Sequence, residues 1–194
     1  MDPDKLLRLE RMGLGPVWQR RAQAEASASS AVAQDEGIAS LDWDELESSI
    51  RDCARCHLCH GRTHAVPGVG DRSASWLFVG EGPGRSEDMQ GEPFVGPAGK
   101  LLDNMLYQLS LDNMFKAMQL QRGVDTYIAN IVKCRPVDAD GRDRPPSPTE
   151  VNACRPYLDR QIDLIKPSVI VALGKTAAIS LLGLNEESSL AALR

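Results

Sequence analysis

Three groups of residues in this 194-residue chain have types and spacings that suit chemistry. The first is a set of thiols: Cys53 and Cys56 form a C-x2-C pair, and Cys134 and Cys154 flank a loop rich in proline and arginine. Four thiolates so arranged suit a [4Fe-4S] cluster or a structural zinc, and spacing alone does not choose between them. Cys59 extends the first pair to C-x2-C-x2-C and reads as a spare buried thiol. His57, His60 and His64 fall close by, which keeps a mixed Cys/His zinc site open. The pattern C-x-x-C-H of covalent haem attachment occurs at Cys53–His57 and again at Cys56–His60. It is set aside, because that chemistry needs an export signal and the N-terminus carries no apolar stretch of that kind.

The second group is a glycine-rich turn. The apolar run Trp76-Leu77-Phe78-Val79 leads into Gly80-Glu81-Gly82-Pro83-Gly84, and Gly91-Glu92-Pro93-Phe94-Val95-Gly96-Pro97-Ala98-Gly99 follows before a helical stretch. A strand that runs into glycines and then a helix leaves backbone N–H groups unpaired, a natural pocket for an anionic or carbonyl-bearing ligand. Glu81, Asp88 and Phe94 lie on this turn, and Asn130, the third feature, lies near the end of another apolar run. Two phosphate motifs are excluded. In Gly80–Arg85 the third glycine of G-x-G-x-x-G comes one position early, and the glycine a Walker A loop needs before Gly174-Lys175-Thr176 falls at Val169.

The elements that must position these residues alternate. Strands are predicted at Trp76–Val79, Thr126–Val132 and Val169–Leu173, each nearly continuous in apolar residues, as strands buried on both faces of a parallel sheet are. Helices are predicted at Pro97–Leu109, Pro148–Ile165 and Lys175–Leu182, the second opened by Ser147-Pro148-Thr149-Glu150. The expectation is an α/β fold, a three-layer αβα domain around a central, mostly parallel sheet, with its ligand at the carboxyl ends of the strands. Glu81, Asn130 and Gly174 all fall there.

Upstream, residues 3–12 suit a short helix with Leu6, Leu9 and Met12 on one side, and Gln19–Ser40 reads as a linker. Another helix is expected from Asp42, where Asp42 and Glu45 have capping-box spacing. The division is an N-terminal arm and linker over 1–40, partly disordered, and a domain over 41–194. The net charge of −5 resides in the first 52 residues, which carry eleven acidic and six basic side chains; the remainder carries sixteen of each. That balance neither supports nor excludes a nucleic-acid partner. No run is long enough to span a bilayer, so the reading is a cytoplasmic monomer with no membrane partner.

Taken together, Cys53-x2-Cys56, Gly80-Glu81-Gly82-Pro83-Gly84-x2-Glu87-Asp88, Gly91-x-Pro93-Phe94-Val95-Gly96-x-Ala98-Gly99-x-Leu101-Leu102 and Asn130-Ile131-Val132-Lys133-Cys134-Arg135-Pro136 resemble the family 4 iron-sulfur uracil-DNA glycosylases. The likeness continues through Cys154, Lys166-Pro167 and Ala172-Leu173-Gly174. It implies a uracil-DNA glycosylase fold and a DNA-repair hydrolase that flips uracil out of uracil-containing DNA and cleaves its N-glycosidic bond. It implies a [4Fe-4S] cluster on Cys53, Cys56, Cys134 and Cys154, and a pocket formed by Glu81, Gly82, Pro83, Phe94 and Asn130. Asn130 would read uracil, Phe94 would stack on it, and Glu81 or Asp88 would act on the sugar or the water. Arg135, Arg142 and Arg144 would approach phosphates. Family members continue to a further strand and a His-Pro motif, whereas here no histidine follows His64, so a C-terminally truncated member is expected, with excision weak or undetectable and uracil binding partly retained through Asn130 and Phe94. The alternative is a non-catalytic module that binds nucleic acid, or a protein partner through its N-terminal arm.

Overall fold

The computed structural model describes residues 37–111 and 121–184. The helix expected over 3–12 and most of the linker lie outside the described residues. The sequence reading placed Ile38 in that linker, but it is buried in the main core and Leu41 N–H donates to its carbonyl.

Helix α1 (Trp43–Arg51) starts where the capping box predicts: Asp42 accepts from the Asp44 and Glu45 amides, and the Glu45 carboxylate accepts from Asp42 N–H. Its apolar side, Leu46 and Ile50, is fully buried. A short 3-10 helix, His57–His60, follows. Strand β1 (Val69–Gly70) precedes β2 (Trp76–Gly80), then α2 (Arg85–Gln90), α3 (Pro97–Leu111), β3 (Thr126–Asn130), α4 (Pro148–Ile165), β4 (Val169–Ala172) and α5 (Lys175–Leu182).

The sheet order is β1-β3-β2-β4. β2 is parallel to both β3 and β4, with Gly80 opposite Asn130 and Val79 opposite both Ala129 and Ala172. β1 pairs antiparallel with β3. Because successive side chains of a strand face opposite ways, β2 divides its burial between two cores. Leu77 and Val79 join Leu46, Ile50, Leu158 and Ile162 on the α1 and α4 side, and Trp76 and Phe78 join Leu102 and Leu106 of α3 on the other. The result is the expected three-layer arrangement.

The elements differ from the sequence reading at β3, β1 and α2. β3 stops at Asn130 instead of Val132, because the Ile131 and Val132 amides bond the carbonyls of Gly80 and Glu81 beyond the end of the ladder. β1 and α2 are not anticipated, being too short to show a period. α4 and α5 match their predicted bounds, α4 with the full Ser147–Glu150 capping box.

Candidate functional site

The carboxyl ends of β2 and β3 meet at Gly80 and Asn130. A Cβ on Gly80 would lie 2.5 Å from Asn130 Oδ1 and 2.5 Å from Phe94 Cζ, so the amide and the aromatic ring converge on a space that only glycine leaves open. Asn130 is buried, and its Oδ1 is a buried side-chain oxygen without a hydrogen-bond partner. Leaving such a group unsatisfied costs about 1–3 kcal/mol, which is tolerated where a ligand supplies the missing donor.

Phe94 sits on a backbone that is held deliberately. Its φ of 56° is a left-handed conformation that non-glycine residues rarely adopt. Three interactions fix it. Glu87 Oε1 accepts from Val95 N–H at 3.0 Å and Gly96 N–H at 2.8 Å. Arg122 donates to the carbonyls of Pro93 at 3.0 Å and Phe94 at 2.8 Å, while its Nε bonds Asp103 at 2.9 Å. Helix α3 presses so closely on the turn that a Cβ on Gly99 would fall 1.6 Å from the Phe94 carbonyl oxygen. In the sequence Glu87 stands out only as a member of the Gly80–Asp88 motif, and Arg122 belongs to no motif.

Glu81 follows β2 directly, half-buried, and its carboxylate accepts from the hydroxyl of Thr176 in the first turn of α5. Gly82 packs against Val132, with Pro83 buried beside it. Asp88, expected alongside Glu81 as a candidate catalytic carboxylate, is placed otherwise. It is buried, and its two oxygens accept from Thr63 N–H at 2.9 and 3.1 Å, with a longer bond from His64 N–H. The reason is helical: consecutive residues of α2 point about 100° apart, so with Glu87 turned to the Phe94 loop, Asp88 faces the 63–64 segment and anchors it. Beside Thr176 a cleft of about 580 Å³ runs between Pro145, Pro148, Asn152, Lys175 and Ile179.

Cys53, Cys56, Cys134 and Cys154 line one cavity, although Cys56 and Cys134 are 78 positions apart in the chain; Cys59 lines it too. N–H groups point at the sulfurs: Arg62 Nη1 to Cys134 at 3.0 Å, Lys133 N–H to Cys154 at 3.2 Å, and Arg55 N–H to Cys53 at 3.5 Å. Such donors favour thiolates and are what a thiolate-bound metal group requires. Without one, burial pushes the Cys154 thiol up to about 12 and raises Cys134 and Cys56 as well, so binding would expel protons. Among the described residues, no three His, Cys, Asp or Glu side chains are grouped to hold a single metal ion.

The loop between Cys134 and Cys154 is organised by Glu150, which is 1% exposed. Arg144 grips its carboxylate with two bonds of 2.9 and 2.6 Å, Ser147 N–H adds one at 2.7 Å, and His57 Nε2 lies 2.8 Å away. The Arg144 bonds, chiefly, hold the Glu150 carboxyl down at about 2. This answers the expectation that Arg135, Arg142 and Arg144 approach phosphates. Arg144 is engaged by Glu150, Arg135 by Asp143 at 2.6 Å, and Arg142 lies near Asp140. Arg135 and Arg144 are thus held within the loop, whereas Arg142 is largely exposed and its pairing with Asp140 is a surface contact.

A family profile, Uracil DNA glycosylase superfamily, matches residues 67–192. The chain is 47% identical over 135 residues to a type-4 uracil-DNA glycosylase of Archaeoglobus fulgidus, covering 70% of this chain and 61% of that protein. It is 44% identical over 132 residues to the type-4 enzyme of Sulfurisphaera tokodaii, covering 68% and 54%. Against the type-4 enzyme of Thermotoga maritima it is 44% identical over 132 residues, covering 68% and 62%. The chain thus spans about three fifths of the length of the curated relatives it matches.

Proposed function

This chain belongs to the uracil-DNA glycosylase superfamily, and from that premise we propose that it binds uracil flipped out of DNA and hydrolyses the N-glycosidic bond, leaving an abasic site. The observation that carries the reading is the unpartnered Asn130 Oδ1, buried against the Phe94 ring at the Gly80 gap. Uracil offers an N3–H donor to that oxygen, and its O4 accepts from the Asn130 amide nitrogen. Cytosine presents the opposite polarities at both positions and leaves the pair mismatched, a difference that a built hydrogen-bonding site turns into strong rejection. Phe94 provides the stacking face.

Departure of the base puts negative charge on uracil O2 and positive charge on the sugar. Backbone N–H groups of the Glu81–Gly82 turn stand at the strand end where the first can be met. Glu81, oriented by Thr176, is the carboxylate placed for the second, or for holding the attacking water. Asp88 is left to its structural role.

We assign Cys53, Cys56, Cys134 and Cys154 as ligands of a [4Fe-4S] cluster. Each thiolate would bond a different iron, which does not require three donors to meet at one ion. The group would clamp the loop that follows Asn130; in this reading it supplies rigidity, and the chemistry of excision stays with the residues of the pocket. The test is a single-stranded oligonucleotide carrying one uracil, incubated with the protein and then with alkali. Strand cleavage at uracil and none at cytosine is expected; equal cleavage at both, or none with the protein in excess, overturns the proposal.

A further inference from the structure

Lys133 is the most unusual buried residue outside the pocket, at 1% exposure. Ammonium groups are almost never fully buried unless paired, and this one has two partners. Its Nζ donates to the backbone carbonyl of Asn130 at 2.8 Å and to Gln161 Oε1 at 2.6 Å. Gln161, itself fully buried, passes the contact on through Nε2 to the Pro67 carbonyl at 2.9 Å. The main chain of Lys133 is fixed independently, its N–H on Cys154 Sγ at 3.2 Å and its carbonyl on Val66 N–H at 2.8 Å. One residue therefore spans from a thiol of the metal cavity to the peptide of the residue whose Oδ1 lacks a partner.

We propose that Lys133 is a positioning residue for base recognition: it fixes the Asn130 peptide, and so the direction of the Asn130 amide, against the Cys154 side of the core. The inference rests on the reading of Asn130 as the residue that reads uracil. A core filler does not explain the arrangement, because an apolar side chain of similar length would fill the space without the cost of burying an ammonium group. The charge is retained at a place where its hydrogen bond ends on the base-reading residue. The N–H of the same peptide, that of Ile131, is bonded to the Gly80 carbonyl at 2.9 Å, so Lys133 holds its second polar group; a tilt of the peptide would shift the amide at the Gly80 gap, where small displacements are strongly felt.

The experiment measures binding of the whole chain, so that it does not depend on turnover. A single-stranded oligonucleotide carrying one 2′-fluorinated deoxyuridine, which resists cleavage, is compared with the same strand carrying deoxycytidine. The unaltered protein should prefer the uracil strand, and Lys133→Met should reduce that preference about 10-fold, the scale of one lost hydrogen bond from a charged group, with bound metal and cooperative melting retained. An unchanged preference in Lys133→Met overturns the proposal while leaving the glycosylase reading intact. No preference in the unaltered protein removes the Asn130 reading and this proposal with it. Should Lys133→Met fail to fold, Gln161→Leu decides the matter: it keeps the ammonium but frees one of its bonds, and is expected to lower the preference about 3-fold, whereas full preference again overturns the proposal.

Discussion

Gly80→Ala is the most informative single change, because the structure predicts that it separates function from folding. The added methyl would stand 2.5 Å from Asn130 Oδ1 and 2.5 and 2.7 Å from Phe94 Cζ and Cε2. Ordinary contact needs roughly 3.5–4.0 Å, so both groups must retreat by about 1 Å. Gly80 is not among the residues with positive φ, so alanine meets no backbone strain. What yields is the tip of one side chain and the edge of one ring, and the stability cost should stay within the roughly 1–3 kcal/mol typical of overpacking. The groups that yield are the two that would hold the base. A 1 Å misplacement in such a site is expected to cost on the order of 10²-fold in kcat/KM, and the methyl also occupies space the base needs. The assay is single-turnover excision from uracil-containing single strands beside a thermal melt. Gly61→Ala, which meets nothing within 4 Å, is the control. Activity within about twofold of the unaltered protein, with the fold retained, would show that the space between Gly80, Asn130 and Phe94 is not where uracil sits.

Asn130→Asp should narrow the discrimination between uracil and cytosine, because a carboxylate accepts from the cytosine amino group but cannot donate to uracil O4; competition between the two oligonucleotides measures it, and an unchanged ratio in an active variant counts against the assignment. Replacing any of Cys53, Cys56, Cys134 or Cys154 by alanine should abolish iron binding, while Cys59→Ser should leave it, as read by iron analysis and visible absorption of protein purified without oxygen; stoichiometric zinc in place of iron would refute the cluster. The Glu150 carboxyl, held at about 2 against an ordinary 4.5, stabilises the folded state by about 3 kcal/mol at about 1.4 kcal/mol per pH unit. The depressed value places that stabilisation fully above pH 4.5 and removes it as pH falls from 4.5 towards 2. Glu150→Gln should therefore lower the melting temperature at pH 7 by roughly 6–12 °C and flatten the acid limb; an equal melting temperature for both proteins at pH 7 would refute the clamp.

By itself the sequence determined the elements with strong local signals. The capping boxes at Asp42 and Ser147 and the Pro148–Ile165 and Lys175–Leu182 helices are written in consecutive residues, and the apolar runs of β2 and β3 announce strands buried on both faces, whereas the equally apolar run of β4 is only half-buried at the end of the sheet order. Asn130, Phe94 and the four cysteines stood out differently: each alone has an ordinary explanation, and only their joint occurrence and the resemblance to family 4 uracil-DNA glycosylases singled them out. Tertiary structure decided which partners those residues have. Thr176 meets Glu81 across 95 positions, Arg122 reaches back 28 residues to the Phe94 carbonyl, and Lys133 finds Gln161 from another element. No period or motif records such pairings, since hydrogen bonds between elements depend on how the layers stack. The same holds for Asp88 and Glu87, adjacent in the chain and alike in chemistry. Only the rotation of α2 against its neighbours assigns one carboxylate to the Phe94 loop and turns the other to the Thr63 amide.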